Sequence, residues 1–101
     1  MYVIAYDIGT TGLKTCLYSI EDRVSLVAGT YQEYDLYIFE DGGAEQDAEQ
    51  WWEAMCSTTM KLIEKTGIAP AEIKGLSFCS QMQGLVLADD KANALRRPMS
   101  Y

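Results

Sequence analysis

Four side chains near the start of the chain could act together on a phosphate group. They lie in the stretch Asp7-Ile-Gly-Thr-Thr-Gly-Leu-Lys14, where two glycines bracket two threonines. The backbone N–H groups of such a turn, and the hydroxyls of Thr10 and Thr11, can donate hydrogen bonds to phosphate oxygens. Asp7 suits a Mg²⁺ ion held through water, because magnesium dehydrates reluctantly, and Lys14 adds positive charge. The spacing predicts a phosphate and magnesium site, with a plain β-hairpin as the alternative.

A second polar group interrupts two apolar segments late in the chain, in the stretch Ser80-Gln-Met-Gln-Gly84. The amides of Gln81 and Gln83 can donate to and accept from hydroxyls, which fits a polyol or a sugar. Met82 could pack against the carbon skeleton of such a ligand. The alternative is an ordinary polar turn in which the glycine permits the bend.

Two further groups are interpreted as structural. Asp47 precedes the pair Trp51 and Trp52, and we expect it to cap a helix rather than to catalyse a reaction. The tryptophans are expected in the core, with one indole facing a sugar ring as the alternative. The pair Asp89-Asp90 is expected in a solvated turn rather than at a metal ion.

The composition excludes several classes of function. The chain has 101 residues, no histidine and a net charge of −7. Such a chain is a poor partner for nucleic acid or an anionic membrane, and without imidazole it has no Ser-His or Cys-His nucleophile. Eight of the fifteen acidic residues, and no basic residue, lie between Glu33 and Glu53. We interpret this segment as a solvated loop and helix start, with an acidic docking surface as the alternative.

Cysteine usage and hydropathy indicate a cytoplasmic protein. Cys16, Cys56 and Cys79 form no Cys-x-x-Cys pair, which argues against a zinc ribbon or a redox pair and favours a reducing compartment. No apolar run approaches the ~20 residues that span a bilayer. The apolar run Tyr2–Tyr6 ends at once in Asp7 and is not typical of a signal peptide.

The order of elements predicts an α/β layer with a mixed sheet. Apolar and alternating segments predict strands over Tyr2–Ile8, Leu13–Ser19 and Val24–Tyr34, which form a three-stranded meander. Two more strands are predicted over Lys74–Ser80 and Leu85–Ala88. The predicted order is β-β-β-α-β-β, in which a single helix covers one face of the sheet. We therefore expect the front part of a larger domain.

The segment between the meander and the later strands carries the clearest helix signal. Asp35–Gln46 is expected to be a loop, and Asp47 with Gln50 resembles a capping box. A helix over Ala48–Thr66 is expected to end before Gly67. Its predicted buried stripe consists of Trp52, Met55, Cys56, Thr59, Leu62 and Ile63.

Four stretches, in this order, resemble the FGGY family of carbohydrate kinases and, within it, the xylulokinase-like members. Tyr2–Lys14 is similar to the family's first strand, phosphate hairpin and second strand. Glu45–Trp52 is similar to the start of its first helix, and Gly75–Gly84 to the strand that ends in its sugar-contacting turn. Leu95–Tyr101 resembles the segment that follows. The resemblance covers essentially the whole chain.

The resemblance implies a ribonuclease-H-like (actin-like ATPase) fold of two domains, with ATP and a sugar meeting in the cleft between them. Carried over by position, Thr10, Thr11, Gly12 and Lys14 face the ATP phosphates, and Asp7 faces the Mg²⁺ ion. The catalytic aspartate of the family, a general base, is expected beyond residue 101.

The resemblance also implies a sugar site at Met82 and Gln83, with Gln81 supporting them. The chain departs from the family pattern at Gln83, where xylulokinases typically have His and glycerol kinases have Glu preceded by Arg. This departure argues against glycerol. It leaves D-xylulose, a related ketose or a polyol as the substrate.

From this resemblance we expect residues 1–101 to be the N-terminal part of the sugar-binding domain of an ATP-dependent kinase. Without the C-terminal nucleotide domain they are expected to be inactive, and to form dimers because an incomplete sheet exposes an edge. One alternative is another ATPase of the same superfamily, such as an acetate kinase or a chaperone-type ATPase. It would share the Asp7 hairpin but not Gln81–Gly84. The other is a non-catalytic interaction module.

Overall fold

The computed structural model describes residues 1–82 and 84–100, so Gln83 and Tyr101 lie outside the described residues. In the described part of the chain the elements are, in order, β1 (Tyr2–Ile8), β2 (Gly12–Ile20), β3 (Val24–Glu33), β4 (Tyr37–Ile38), β5 (Ala44–Glu45), α1 (Ala48–Thr66), a 3₁₀ turn (Pro70–Glu72), β6 (Ile73–Ser80) and β7 (Met99–Ser100).

The main sheet has four strands in the order β3-β2-β1-β6. The strands β1, β2 and β3 pair antiparallel as the predicted meander, and β6 joins β1 in parallel. A parallel neighbour needs a crossover connection, which the segment containing α1 supplies. The predicted mixed α/β sheet is confirmed. Because Ile8 pairs with Ser80, the carboxyl ends of β1 and β6 meet at one edge of the sheet.

Helix α1 has the predicted limits. The Asp47 side chain accepts from the N–H of Glu49 at 3.0 Å, and Gly67 ends the helix in a left-handed conformation with φ of 71°. Gln50 does not complete a capping box with Asp47. It accepts from the N–H of Asp35 at 2.8 Å and donates to the Asp35 carboxylate at 2.9 Å. These two bonds fasten the chain after β3 to the first turn of α1.

The buried face of α1 differs from the predicted stripe. Ala54, Thr58 and Leu62 are buried, whereas Trp52 is 60% exposed and Cys56 is also exposed. The helix packs across β2 and β3, and the small side chains on its buried face permit a close approach to the sheet. No helix in the described residues is long and apolar enough to cross a membrane.

The core between α1 and the sheet combines aliphatic side chains with a pair of hydroxyls. Thr15 and Thr58 are both fully buried. The Thr58 hydroxyl donates to the Ala54 carbonyl at 2.7 Å, so its oxygen must accept from Thr15 at 2.8 Å. Both hydroxyls are therefore satisfied, which avoids the cost of an unpaired polar group. The buried apolar residues around them are Ile4, Tyr6, Leu13, Leu17, Ala54 and Leu62.

Two segments outside the main sheet differ from the prediction. The predicted loop Asp35–Gln46 contains β4 and β5, which form a second, three-stranded sheet with β7. The predicted strand over Leu85–Ala88 is wrong, because this segment forms two isolated bridges, one at Leu85 and one at Ala88. Leu85 exchanges two backbone hydrogen bonds with Met99, and the Leu87 carbonyl accepts from the N–H of Leu95.

Candidate functional site

The predicted phosphate turn is a tight hairpin between β1 and β2. The N–H of Gly9 donates to the Gly12 carbonyl at 3.0 Å, which leaves Thr10 and Thr11 exposed at the tip. The N–H groups of these two threonines have no hydrogen-bond partner among the described residues. The turn therefore presents N–H donors and hydroxyls outward, an arrangement that suits phosphate oxygens.

Asp7 and Lys14 lie beside this turn, directly opposite each other in the register of β1 and β2. Side chains alternate along a strand, and the preceding residue, Tyr6, shares a hydrogen bond with Thr59 of α1 at 2.6 Å. Asp7 therefore points to the face of the sheet that α1 does not cover. On that face Asp7 and Lys14 line a cavity of about 250 Å³.

Cys79 of β6 lies next to Asp7 in the wall of this cavity. Its thiol donates to one carboxylate oxygen of Asp7 at 3.5 Å. This hydrogen bond, together with the negative charge of Asp7, raises the pKa of the Cys79 thiol. The thiol thus stays protonated, and the second Asp7 oxygen has no partner in the part of the chain that the structure describes. That oxygen can accept from the water shell of a cation.

The carbonyl side of the turn is held from beneath by three side chains. The Tyr34 hydroxyl donates to the Gly9 carbonyl. The Gln81 amide donates to the same carbonyl at 3.1 Å, and the Gln46 amide donates to the Thr10 carbonyl at 2.5 Å. Because these carbonyls are fixed inward, the N–H groups at the tip are fixed outward.

The Tyr34 hydroxyl is protonated at neutral pH and can donate its hydrogen bond to the Gly9 carbonyl. Burial raises the pKa of Tyr34 to about 12, with smaller contributions from Tyr31 and Asp7. The folded pKa lies above the ordinary value of 10, so the resulting stability is complete below pH 10 and falls as the pH rises toward 12.

The second predicted group lies at the carboxyl end of β6, beside a cleft of about 350 Å³. Gln81 lines this cleft together with Trp51 and Ser100. Met82 is 73% exposed and is not among the lining residues, and Gln83 lies outside the described residues. Of the two predicted sugar-site residues that the structure describes at this point, Gln81 faces the cleft and Met82 does not.

The two tryptophans have different surroundings. Trp51 lines the cleft, and its indole nitrogen is buried with no hydrogen-bond partner within residues 1–82 and 84–100. Trp52 is exposed and is not among the lining residues. The expectation that both lie in the core is wrong for Trp52, because α1 turns that position away from the sheet.

Several acidic side chains make structural contacts. Asp47 caps α1, Asp35 bonds to the helix start, and Glu45 pairs with Arg96 at 2.5 Å. Asp89 accepts from the N–H of Asn93, which lowers the pKa of the Asp89 carboxyl in its solvated turn. Within the segment Glu33–Glu53, the side chains of Asp35, Glu45 and Asp47 therefore have partners inside the chain. No group of three or more Cys, Asp and Glu side chains in the described chain could hold a metal ion.

Gln46, Tyr34 and Cys79 are the site residues that sequence reasoning missed. Gln46 is fully buried, although it lies in a segment rich in acidic residues that predicts a loop. No local pattern identifies it, because its partner Gln81 is 35 positions away. The stretch Glu45–Trp52, which carries part of the family resemblance, is the one signal that includes it.

Solved structures share this fold. A xyloylose kinase from Brucella ovis has a TM-score of 0.88 at 27% identity, covering 98% of this chain and 20% of that chain. A gluconate kinase from Lactobacillus acidophilus has a TM-score of 0.85 at 29% identity, covering 98% and 19%. The sheet, the helix and the hairpin define an α/β domain of the ribonuclease-H-like (actin-like ATPase) class, as the resemblance implied.

The chain is also similar in sequence to xylulose kinases and glycerol kinases. Xylulose kinases from Bacillus subtilis (strain 168) and Staphylococcus epidermidis are 34% and 32% identical over 100 and 99 residues, which is 99% and 98% of this chain and 20% of each relative. A glycerol kinase from Alteromonas mediterranea is 27% identical over 88 residues, 87% of this chain and 17% of the relative. The chain thus spans about a fifth of the length of these relatives. Residues 2–101 match the N-terminal domain of the FGGY family of carbohydrate kinases, and the chain belongs to that family.

Proposed function

We propose that residues 1–101 are the N-terminal part of the sugar-binding domain of an ATP-dependent carbohydrate kinase. The observation that carries this proposal is the turn at Thr10 and Thr11. Its carbonyls are fastened from beneath, while its N–H groups face outward beside Asp7 and Lys14. Membership of a carbohydrate kinase family supports the same reaction class.

The residues at the turn fit the phosphates of ATP and a hydrated Mg²⁺ ion. Phosphoryl transfer depends mainly on positioning and on stabilising the charge of the phosphoryl oxygens. The N–H groups and hydroxyls of Thr10 and Thr11 donate to these oxygens, and the Lys14 ammonium offsets their charge. Asp7 accepts from the water shell of the cation with its free oxygen. When bound, Mg²⁺ supplies further neutralisation of the phosphate charge.

The cleft beside Gln81 fits a sugar. The amide oxygen of Gln81 offers an acceptor, and the hydroxyls of Ser80 and Ser100 offer donors and acceptors. Trp51 and Met99 add apolar surface. No side chain that lines the cleft, in the part that the structure describes, is ionisable. We therefore place the general base outside residues 1–101, and we expect these residues alone to release no ADP from ATP in the presence of a sugar.

We further propose that the substrate is D-xylulose or a related ketopentose. Support comes from the length of the matches. The two xylulose kinases align with 99 and 100 residues of this chain, whereas a glycerol kinase from Sinorhizobium fredii, at a comparable 33% identity, aligns with 89. We also propose a cytoplasmic protein that binds neither nucleic acid nor membrane. The net charge of −7 and the three free thiols support that assignment.

Titration of the full-length protein that carries this chain tests the nucleotide part of the proposal. Lys14→Ala should weaken binding of magnesium adenylyl imidodiphosphate about tenfold or more, because a charge-assisted bond to phosphate is lost. Lys74→Ala is the matched control, since Lys74 is also an exposed lysine of the main sheet but lies near the other end of β1 and β6. Equal dissociation constants for the two variants would contradict the proposal.

A further inference from the structure

Two glutamine amides connect the hairpin turn with the cleft. Gln46 is fully buried and donates its Nε2 to the Thr10 carbonyl at 2.5 Å. The Nε2 of Gln81 donates both to Gln46 Oε1 at 2.6 Å and to the Gly9 carbonyl at 3.1 Å. The Ser100 hydroxyl, which lines the cleft, lies 3.5 Å from Gln81 Oε1. A continuous series of hydrogen bonds therefore runs from the cleft to the tip of the turn.

The orientation of both amides is fixed by their partners. Backbone carbonyls only accept, so each glutamine must direct its nitrogen toward the turn. Because the Gln46 Nε2 donates to the Thr10 carbonyl, the Gln46 Oε1 faces Gln81. There it accepts a hydrogen bond from the second N–H of the Gln81 amide. Rotation of either amide would bring two donors or two acceptors together in a buried site. Such an arrangement is costly, so the pair has one stable arrangement.

We propose that Gln46 and Gln81 are positioning residues that couple the sugar cleft to the phosphate turn. Both Gln81 N–H groups are already in use, so a sugar hydroxyl in the cleft would donate to Gln81 Oε1. That bond polarises the amide, which strengthens its bonds to Gly9 and, through Gln46, to Thr10. The turn then has less residual motion to lose when the nucleotide binds, so each ligand tightens the binding of the other. This inference rests on the proposed kinase function, and the coupling must be reciprocal because it is a free energy shared by two sites.

Calorimetric titration of the full-length protein measures this coupling. The dissociation constant for magnesium adenylyl imidodiphosphate is determined with and without saturating D-xylulose. For the wild-type protein we expect the sugar to lower it about tenfold, and for Gln46→Met we expect a ratio below about two. Gln50→Met is the matched control. It also removes two amide hydrogen bonds of a side chain, but at Asp35 rather than at the turn, and it should keep the wild-type ratio.

If Gln46→Met does not fold, Gln81→Met and hydrogen exchange test the same coupling. Gln81→Met breaks the same series from its less buried end, and it should also abolish the coupling. Hydrogen exchange of the unliganded protein measures how often the turn opens, because the N–H groups of Gly9 and Tyr34 donate hydrogen bonds to carbonyls of the turn. We expect their exchange to be about tenfold faster in a Gln46 or Gln81 variant than in Gln50→Met.

The possible failures are distinguishable. A wild-type protein that binds neither probe refutes the proposed function and, with it, the coupling between the two ligands. A wild-type protein that binds both, with the same coupling ratio in Gln46→Met, Gln81→Met and Gln50→Met, overturns the role of the two amides and leaves the kinase proposal intact. Equal exchange of the Gly9 amide in all three variants would overturn their hold on the turn.

Discussion

Replacement of Gly12 by alanine should push β2 and β3 apart next to the turn. A Cβ atom at Gly12 would lie 2.6 Å from Cζ of Tyr31 and 2.7 Å from the carbonyl oxygen of Gln32. Tyr31 is 49% exposed and its ring can move aside. The Gln32 carbonyl cannot, because it belongs to the backbone of β3, which pairs with β2 at this position. The two strands must therefore move apart by several tenths of an ångström.

The expected cost follows from overpacking of this kind, which destabilises proteins by about 1–3 kcal/mol. We expect Gly12→Ala to lower the free energy of unfolding by about 2 kcal/mol, or the urea midpoint by about 1 M. The measurement is urea unfolding of the 101-residue chain, followed by circular dichroism. Gly75→Ala is the control, since its Cβ would lie 3.8 Å from Cγ2 of Val3, an ordinary contact, and it should change stability by less than about 0.5 kcal/mol.

A second replacement separates the contribution of the Tyr31 ring from that of the backbone. A Cβ atom at Gly12 would also approach the hydroxyl oxygen of Tyr31, and Tyr31→Ser removes this contact together with the one at Cζ. The double variant with Gly12→Ala should therefore recover part of the lost stability and not all of it. Full recovery would show that the Gln32 carbonyl imposes no constraint. Equal unfolding midpoints for Gly12→Ala and Gly75→Ala would refute the reasoning from the close approach of β2 and β3.

Three further predictions follow from the site and the sheet. The wild-type protein should lose stability between pH 10 and about 12, because the pKa of Tyr34 is raised in the folded state and its hydroxyl ionises in this range. Tyr34→Phe should make that loss smaller. Coinciding alkaline unfolding curves for the wild-type protein and Tyr34→Phe would contradict this. Asp7→Ala should accelerate alkylation of Cys79 at pH 8, because the Asp7 carboxylate raises the pKa of the Cys79 thiol. Cys56 should react at an unchanged rate. Mass spectrometry after timed iodoacetamide treatment measures both rates. We expect the chain to form dimers through the open edge of β6, where Phe78 is 55% exposed. Phe78→Lys should then shift the mass measured by light scattering toward that of the monomer. An unchanged mass would contradict association through this edge.

The meander and the helix were predictable because their signals are local. The limits of α1 follow from the apolar period, the Asp47 cap and Gly67, all of which lie within one segment. The buried face of α1 was not predictable in the same way. Ala54 and Thr58 are buried in place of Trp52 because the position of the helix across β2 and β3 selects the face.

The parts that sequence reasoning missed depend on distant pairings. The strand β5 exists because Ala44 and Glu45 pair with β7 near the other end of the chain. Gln46 is buried because that pairing places it beneath the turn, next to Gln81. The hairpin turn was predictable because its residues are contiguous, whereas the side chains that hold it come from three separate segments.

Sugar-dependent release of ADP would show whether this chain is part of an ATP-dependent sugar kinase, as proposed above. The purified full-length protein is incubated with ATP, Mg²⁺ and either D-xylulose, glycerol or no sugar, and ADP is measured by a coupled assay. We predict rapid ADP release with D-xylulose and little with glycerol or without sugar. ADP release at the same rate in all three reactions, or in none of them, would contradict the proposed kinase function.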